Sequence, residues 1–135
     1  MSKIQIIRGI PFPNVNILRE NIEGTIDYPP RDRNIIIASY PNTGTTYLQY
    51  MVLQIIIQGR SFHSCNEVLD KVIPFMEMNG PEAIDNLTGV RMYKHCYRND
   101  MVKKNTKPEV LYMYRNHADT LPAFYYFLQG VWEKR

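Results

Sequence analysis

The sequence predicts an α/β domain: a parallel sheet flanked by helices. Three observations carry this reading. A β-branched run without charge, Asn34 to Tyr40, leads directly into a turn segment and then into apolar residues at helical spacing. Two further runs, Gly89–Lys94 and Pro108–Tyr114, read as strands, and helical patterns alternate with them, as the crossovers of a parallel sheet require. The 135 residues, 44% hydrophobic and 21% charged, fit one globular domain and leave no room for a second.

Residues 1–32 are expected to form an irregular lead-in, because Pro11, Pro13, Pro29 and Pro30 interrupt any helix and the apolar residues keep no period. The run from Asn34 suits a strand buried on both faces. Pro41-Asn42-Thr43-Gly44 breaks it. Leu48, Met51, Val52, Ile55 and Ile56 then fall at i, i+3, i+4, i+7 and i+8, the stripe of a helix packed on a sheet and closed by Gly59. Between Arg60 and Thr88, short helices are expected around 66–71 and 81–87, separated by Pro74 and Gly80. After the last strand, Asp119 can cap a helix to about Gln129, with Pro122 in its first turn and Gly130 ending it.

Composition excludes several classes. Lys+Arg 16 against Asp+Glu 13 gives +3, which names no partner. Cys65 and Cys96 are too few for a disulfide framework, and His63 beside Cys65 is a weak metal pair, so a loop is expected there. The start, Met1-Ser2-Lys3-Ile4-Gln5, opens no apolar h-region, and Met51–Ile57 is far short of the ~20 residues that span a bilayer. A cytoplasmic protein is expected. Arg91, Lys94, Arg98, Lys103, Lys104 and Lys107 face only Asp100 in their segment. That run is either a solvated loop or an electropositive wall around an anion.

In parallel sheets, ligands sit beyond the carboxyl ends of strands, where the next helix presents unpaired N–H groups. Pro41 to Thr46 occupies that place. Gly44 removes a side chain where backbone must approach a ligand, and Thr45 and Thr46 add hydroxyls. The segment lacks the Gly-Lys-[Ser/Thr] ending of a Walker A loop, which disfavours a generic P-loop nucleotide enzyme. The aromatics Phe124 to Phe127, on a helix, are expected in the core rather than stacking bases.

The stretch NIIIASYPNTGTTYLQYMVLQ, Asn34 to Gln54, closely resembles the cofactor loop of the cytosolic-type sulfotransferase family, whose usual form is Tyr-Pro-Lys-Ser-Gly-Thr-Thr-Trp after a hydrophobic strand. Two more stretches match in order: RMYKHCY, Arg91 to Tyr97, resembles the family's Lys-Thr-His-Leu-Pro strand end. VLYMYRNHADTLPAFYYF, Val110 to Phe127, resembles its Val-x-Tyr-x-x-Arg-Asn-x-x-Asp strand and helix. The resemblance implies an incomplete sulfotransferase fold with a P-loop-like, phosphosulfate-binding strand–loop–helix, the domain's N-terminal half spanning 33–135. It implies transfer of a sulfuryl group from 3′-phosphoadenosine 5′-phosphosulfate (PAPS) to a small-molecule alcohol, phenol or amine, with no metal, nucleic acid or membrane involved. Asn42, Thr43, Gly44, Thr45 and Thr46 would cradle the phosphosulfate, Tyr47 would stand near the adenine, Arg115 would bind the 3′-phosphate, and Lys94 would line the acceptor pocket.

Three departures stand out. Asn42 replaces the family's loop lysine, Cys96 replaces its general-base histidine, and Ala123 replaces a serine that meets the 3′-phosphate. His95 sits one position before Cys96 and, in an extended stretch, points to the opposite face. A lost base typically costs on the order of 10² to 10⁴ in rate, and one lost charge-stabilising donor on the order of 10² to 10³. The family domain is about twice as long, and its late Arg-Lys-Gly loop has no counterpart here. Activity is therefore expected to be weak or lost, with Cys96 or His95 as proton acceptor if turnover persists. The alternative is a catalytically silent nucleotide-binding or scaffold fragment.

Overall fold

The computed structural model describes residues 3–14, 17–62 and 64–133, apart from the side chains of 65–68. The pairing of His63 with Cys65 falls outside the described residues.

The expected irregular lead-in holds regular structure. Strands β1 (Ile4–Ile7) and β2 (Ile10–Pro13) pair antiparallel across Arg8-Gly9, with Ile7 opposite Ile10, and helix α1 spans Arg19–Ile26. Both turn residues have positive φ, as a two-residue hairpin turn needs. Prolines are tolerated in β2 because a two-stranded ribbon has open edges. Ile7, Ile22 and Ile26 bury together with Tyr97, and the Thr25 hydroxyl meets the Tyr97 phenol.

The sheet itself is parallel. Strand β3 (Ile35–Ser39) lies between β4 (Met92–His95) and β5 (Glu109–Met113). Its register sets Ala38 opposite His95 and Ser39 opposite Met113. Flanked on both sides, β3 is the buried strand that its charge-free run predicts: Ile36, Ile37, Ala38 and Ser39 are all buried. Helix α2 (Thr45–Ile56) and helix α3 (Cys65–Val72) cover one face, where Ile37, Leu53, Leu69, Ile73 and Met92 cluster. The other face buries Ile36 and Tyr93 against Tyr28, Met76 and Ile84. Met76 and Ile84 belong to helix α4 (Met76–Asp85), which is kinked at Gly80 before Pro81.

The stripe expected to bury α2 is rotated. Leu48 and Val52 pack on the core, but Thr45, Gln49 and Leu53 are the buried positions, while Met51, Ile55 and Ile56 are exposed. The cause is polar. Gln49 turns inward because its Nε2 donates to Ile73 O at 3.0 Å, a bond whose loss would strand a buried amide.

The last helix, α5, runs from His117 to Glu133, through Gly130. Asn116, not Asp119, caps it, Oδ1 accepting the Ala118 N–H at 2.9 Å. Pro122 therefore falls beyond the first turn. The aromatic run is not core. Tyr125, Tyr126 and Phe127 are exposed, as are Val110 and Tyr112 on β5, because no described element packs over this side of the sheet. No helix among the described residues is long and apolar enough to cross a membrane.

Candidate functional site

The register of the sheet brings three strand ends to one edge: β3 runs into the loop 40–44, β4 into Cys96, and β5 into Arg115. The loop is bent by two left-handed residues, Asn42 at φ 62 and Gly44 at φ 106. Gly44 precedes α2 without any side-chain cap on the helix. The first helical bond runs from Leu48 N–H to Gly44 O at 3.1 Å, which leaves the amides of Thr45, Thr46 and Tyr47 without helical partners. A Cβ built on Gly44 would meet nothing nearer than Met113 Cε at 3.9 Å. The amides at the start of α2 sit at the positive end of its dipole. Free amides at a helix start are the arrangement that binds anions such as phosphate.

The loop side chains are mostly committed inward. Thr43 is buried and donates to Tyr40 O at 2.7 Å, and the Thr45 hydroxyl is bonded to that of Ser39. Thr46 and Tyr47 are exposed. Asn42 Nδ2 donates to Ala123 O at 3.0 Å, and Tyr40 stacks edge-on against Phe124 at 5.7 Å, so α5 is pinned against the loop. Arg115 is exposed and forms no ion pair among the described residues.

Alternation along β4 separates the other candidates. Met92 packs with Ile37 and Leu53 on the α2 face, and Lys94 and Cys96 share that face. Lys94 Nζ lies 4.7 Å from the Phe75 ring centroid. Burial pulls the Lys94 ammonium below its ordinary pKa, against the pull of Cys96, Glu77 and Asp70. The Cys96 thiol neighbours Ser39, and burial, reinforced by Glu77, pushes it up to about 12. It holds its proton at neutral pH.

His95 is not brought to this face. It is buried, its Nδ1 accepts the Tyr97 N–H at 3.3 Å, and its ring lies 5.6 Å from that of Tyr97. Burial drives its pKa down to about 4. As a proton acceptor for a ligand beside Cys96 it is on the wrong side of the sheet.

One group at this edge escaped the sequence reading. Glu77, in the first turn of α4, is only 3% exposed. Its Oε1 accepts the Cys96 N–H at 2.6 Å, while Oε2 is buried with no hydrogen-bond partner among the described residues. Burial raises its pKa to about 8. The available signal was a lone carboxylate inside the apolar run Val72 to Met78.

The basic segment resolves toward the solvated reading. Arg98 is paired with Asp100, and Lys107 with Asp32 at 2.7 Å, all exposed. Lys94 is the member drawn into the sheet edge. No group of three or more His, Cys, Asp or Glu that could hold a metal ion occurs among the described residues.

The chain is similar in sequence and fold to known proteins. The family model described as "Sulfotransferase domain" matches residues 32–134. The amine sulfotransferase of Oryctolagus cuniculus is 30% identical over 129 residues, which cover 92% of this chain and 42% of that protein. Human sulfotransferase 1E1 is 29% identical, with 83% and 40% covered, and cytosolic sulfotransferase 7 of Arabidopsis thaliana is 27% identical, with 74% and 35% covered. A crystal structure of mouse sulfotransferase SULT7A1 complexed with PAP superposes with a TM-score of 0.68 at 18% identity, over 93% of this chain and 44% of that one. The chain thus spans less than half the length of these relatives.

Proposed function

The chain belongs to the sulfotransferase family, and from that premise we propose that it binds PAPS on the loop between β3 and α2 and transfers its sulfuryl group slowly to a small-molecule alcohol, phenol or amine. Residues 33–135 act in this reading as the N-terminal half of a sulfotransferase-like domain, in the cytoplasm; the names of two relatives, cytosolic sulfotransferases of Arabidopsis thaliana, support that location. The observation that carries the reading is the left-handed bend at Gly44, with uncapped amides at the start of α2 and the exposed guanidinium of Arg115, without an ion pair among the described residues, at the same sheet edge.

PAPS supplies the sulfuryl group: the acceptor's oxygen or nitrogen bonds to sulfur as the bond from sulfur to the nucleotide's phosphate oxygen breaks, and the acceptor's proton leaves to water. The residues of this chain then have separate tasks. The amides of Gly44 to Tyr47 hold the phosphosulfate end, Tyr47 lies beside the adenine, Arg115 engages the 3′-phosphate, and Lys94 lines the acceptor side. Asn42 brings no charge to the leaving oxygen, and its amide is already bonded to Ala123 O. Cys96 keeps its proton, and His95 faces away. Binding is therefore retained more fully than turnover. The same two observations favour, as a second reading, a silent nucleotide-binding member of the family.

Calorimetric titration with 3′-phosphoadenosine 5′-phosphate tests binding: saturable heat is expected, and no heat at millimolar ligand removes the claim. Radiolabelled sulfate transfer then separates the two readings. Slow transfer by the natural chain supports the enzyme. Transfer seen only in an Asn42→Lys, Cys96→His double variant supports the silent member.

A further inference from the structure

The two outer edges of the parallel sheet differ. The edge at β4 is closed: Lys94 N–H donates to Pro74 O at 3.0 Å, Phe75 bridges to Lys94, and Cys96 N–H donates to Glu77 Oε1 at 2.6 Å. The outer edge of β5 has no strand partner among the described residues. Glu109 N–H donates to Asn34 O at 2.9 Å. In a parallel ladder that bond turns the main-chain groups of Glu109, Leu111 and Met113 toward β3, and those of Val110 and Tyr112 outward. An unpaired row of this kind is a template for another strand, and soluble proteins blunt it with charge or proline. From Val110 to Tyr114 this edge carries neither. Its side chains are apolar on both faces. Val110 and Tyr112, on the face of Ile36, are 56% and 67% exposed, and Leu111, on the face of Ile37, is 38% exposed. Tyr114, Tyr125, Tyr126 and Phe127 follow, each more than half exposed. At about 150–250 Å² per aromatic side chain, the exposed parts of these rings and of Tyr112 present roughly 500–800 Å². A standard interface takes about 800 Å² from each partner.

We propose that this edge is an interface between two copies of the chain: β5 pairs antiparallel with β5 of a second copy about a two-fold axis at Leu111, joining the two sheets into one. In that register Val110 lies opposite Tyr112 of the second copy as a hydrogen-bonded pair, so the outward main-chain groups satisfy one another. Leu111 lies opposite its own equivalent, and Glu109 opposite Met113. A β-branched side chain thus meets an aromatic one, and no like charges face each other. An edge without charge offers nothing to a charged partner, whereas its own copy matches it in polarity and length. Because the β4 edge is closed, the association stops at two copies rather than growing as a fibre. The paired span, Glu109–Met113, ends before Arg115, so the pairing stands apart from the nucleotide reading.

Sedimentation velocity on the full chain tests the pairing, over about 1 μM to about 1 mM, a span that brackets modest affinities. The natural chain should pass with concentration from the 15.9 kDa of one copy to twice that mass and no further. A chain that stays monomeric throughout overturns the proposal and leaves the edge to a strand from some other polypeptide. Open-ended growth overturns it as well. The register is tested by charge. Leu111→Lys sets two ammonium groups face to face across the axis, and Leu111→Glu two carboxylates. Each variant alone should dissociate about 100-fold or more readily, since like charges juxtaposed at an interface strongly oppose association. An equimolar mixture of the two should recover the paired mass, because each lysine then meets a glutamate. A mixture no more associated than either variant alone overturns the pairing at Leu111. If the variants fail to fold, the concentration series on the natural chain still decides between pair and monomer.

Discussion

Replacing Gly44 by alanine perturbs the bend on which the proposed nucleotide binding depends, and the structure gives both the size and the kind of the effect. Space is not the obstacle, since a Cβ would touch only Met113 Cε, at 3.9 Å. Conformation is. Gly44 sits at φ 106, where an L side chain costs about 1–2 kcal/mol. For a domain of this size, each kcal/mol shifts the melting temperature by about 4 °C, so Gly44→Ala should melt about 4–8 °C lower. If the bend relaxes to relieve that strain, the amides of Thr45 to Tyr47 move. Hydrogen bonds to a charged group contribute about 1.5–3 kcal/mol each, so calorimetry should show affinity for 3′-phosphoadenosine 5′-phosphate lowered about 10- to 100-fold. Gly59→Ala is the control. It has φ 73 and open space around its Cβ, lies at the far end of α2, and should lose similar stability with no change in affinity. A Gly44→Ala protein that melts like the natural chain would refute the left-handed bend. One that is destabilised yet binds normally would refute the role of the amides.

Leu53→Ala empties a fully buried position between β3, α3 and β4 and should cost about 2–5 kcal/mol, read by urea unfolding. Arg115→Ala should weaken 3′-phosphoadenosine 5′-phosphate binding about 10- to 100-fold, on the same hydrogen-bond scale. It should leave unfolding within about 0.5 kcal/mol, because the residue is exposed. The pH dependence of stability follows from two buried groups. Glu77 is raised from 4.5 to about 8, so between those values the native state binds more protons and stability falls as pH rises. His95 is lowered from 6.5 to about 4, so the unfolded state binds more protons there and stability rises with pH. The two oppose each other up to pH 6.5, and of this pair only Glu77 acts beyond it. Urea unfolding should therefore show a loss of about 2 kcal/mol between about pH 6.5 and about pH 8, absent in Glu77→Gln; equal slopes in both proteins would exclude Glu77 as the source.

The central strand, its turn and the helix after it were legible because each is a local signal: a charge-free β-branched run, a Pro–Gly break and an apolar period. The hairpin of β1 and β2 was not, since Ile10-Pro11-Phe12-Pro13 lacks alternation and pairs only through its partner strand. The face of α2 was misjudged because Gln49, polar by composition, is buried by its bond to Ile73 O, a tertiary contact that periodicity cannot see. The aromatics of α5 read as core because hydrophobicity alone does not say whether a covering layer exists. At the site, Gly44 and Arg115 were legible through resemblance and spacing, and the alternation of His95 and Cys96 through strand geometry. Glu77 was not, because its meaning depends on the Cys96 amide that it accepts from across the fold.

The account depends most on the amides at the start of α2 gripping the 5′-phosphate end of the nucleotide. Amide and guanidinium NMR shifts, recorded as 3′-phosphoadenosine 5′-phosphate is added to the full chain, examine that grip atom by atom. Saturable shifts confined to Thr43 to Tyr47 and to the Arg115 side chain are the predicted result; shifts that leave this loop untouched while the ligand binds elsewhere would contradict it.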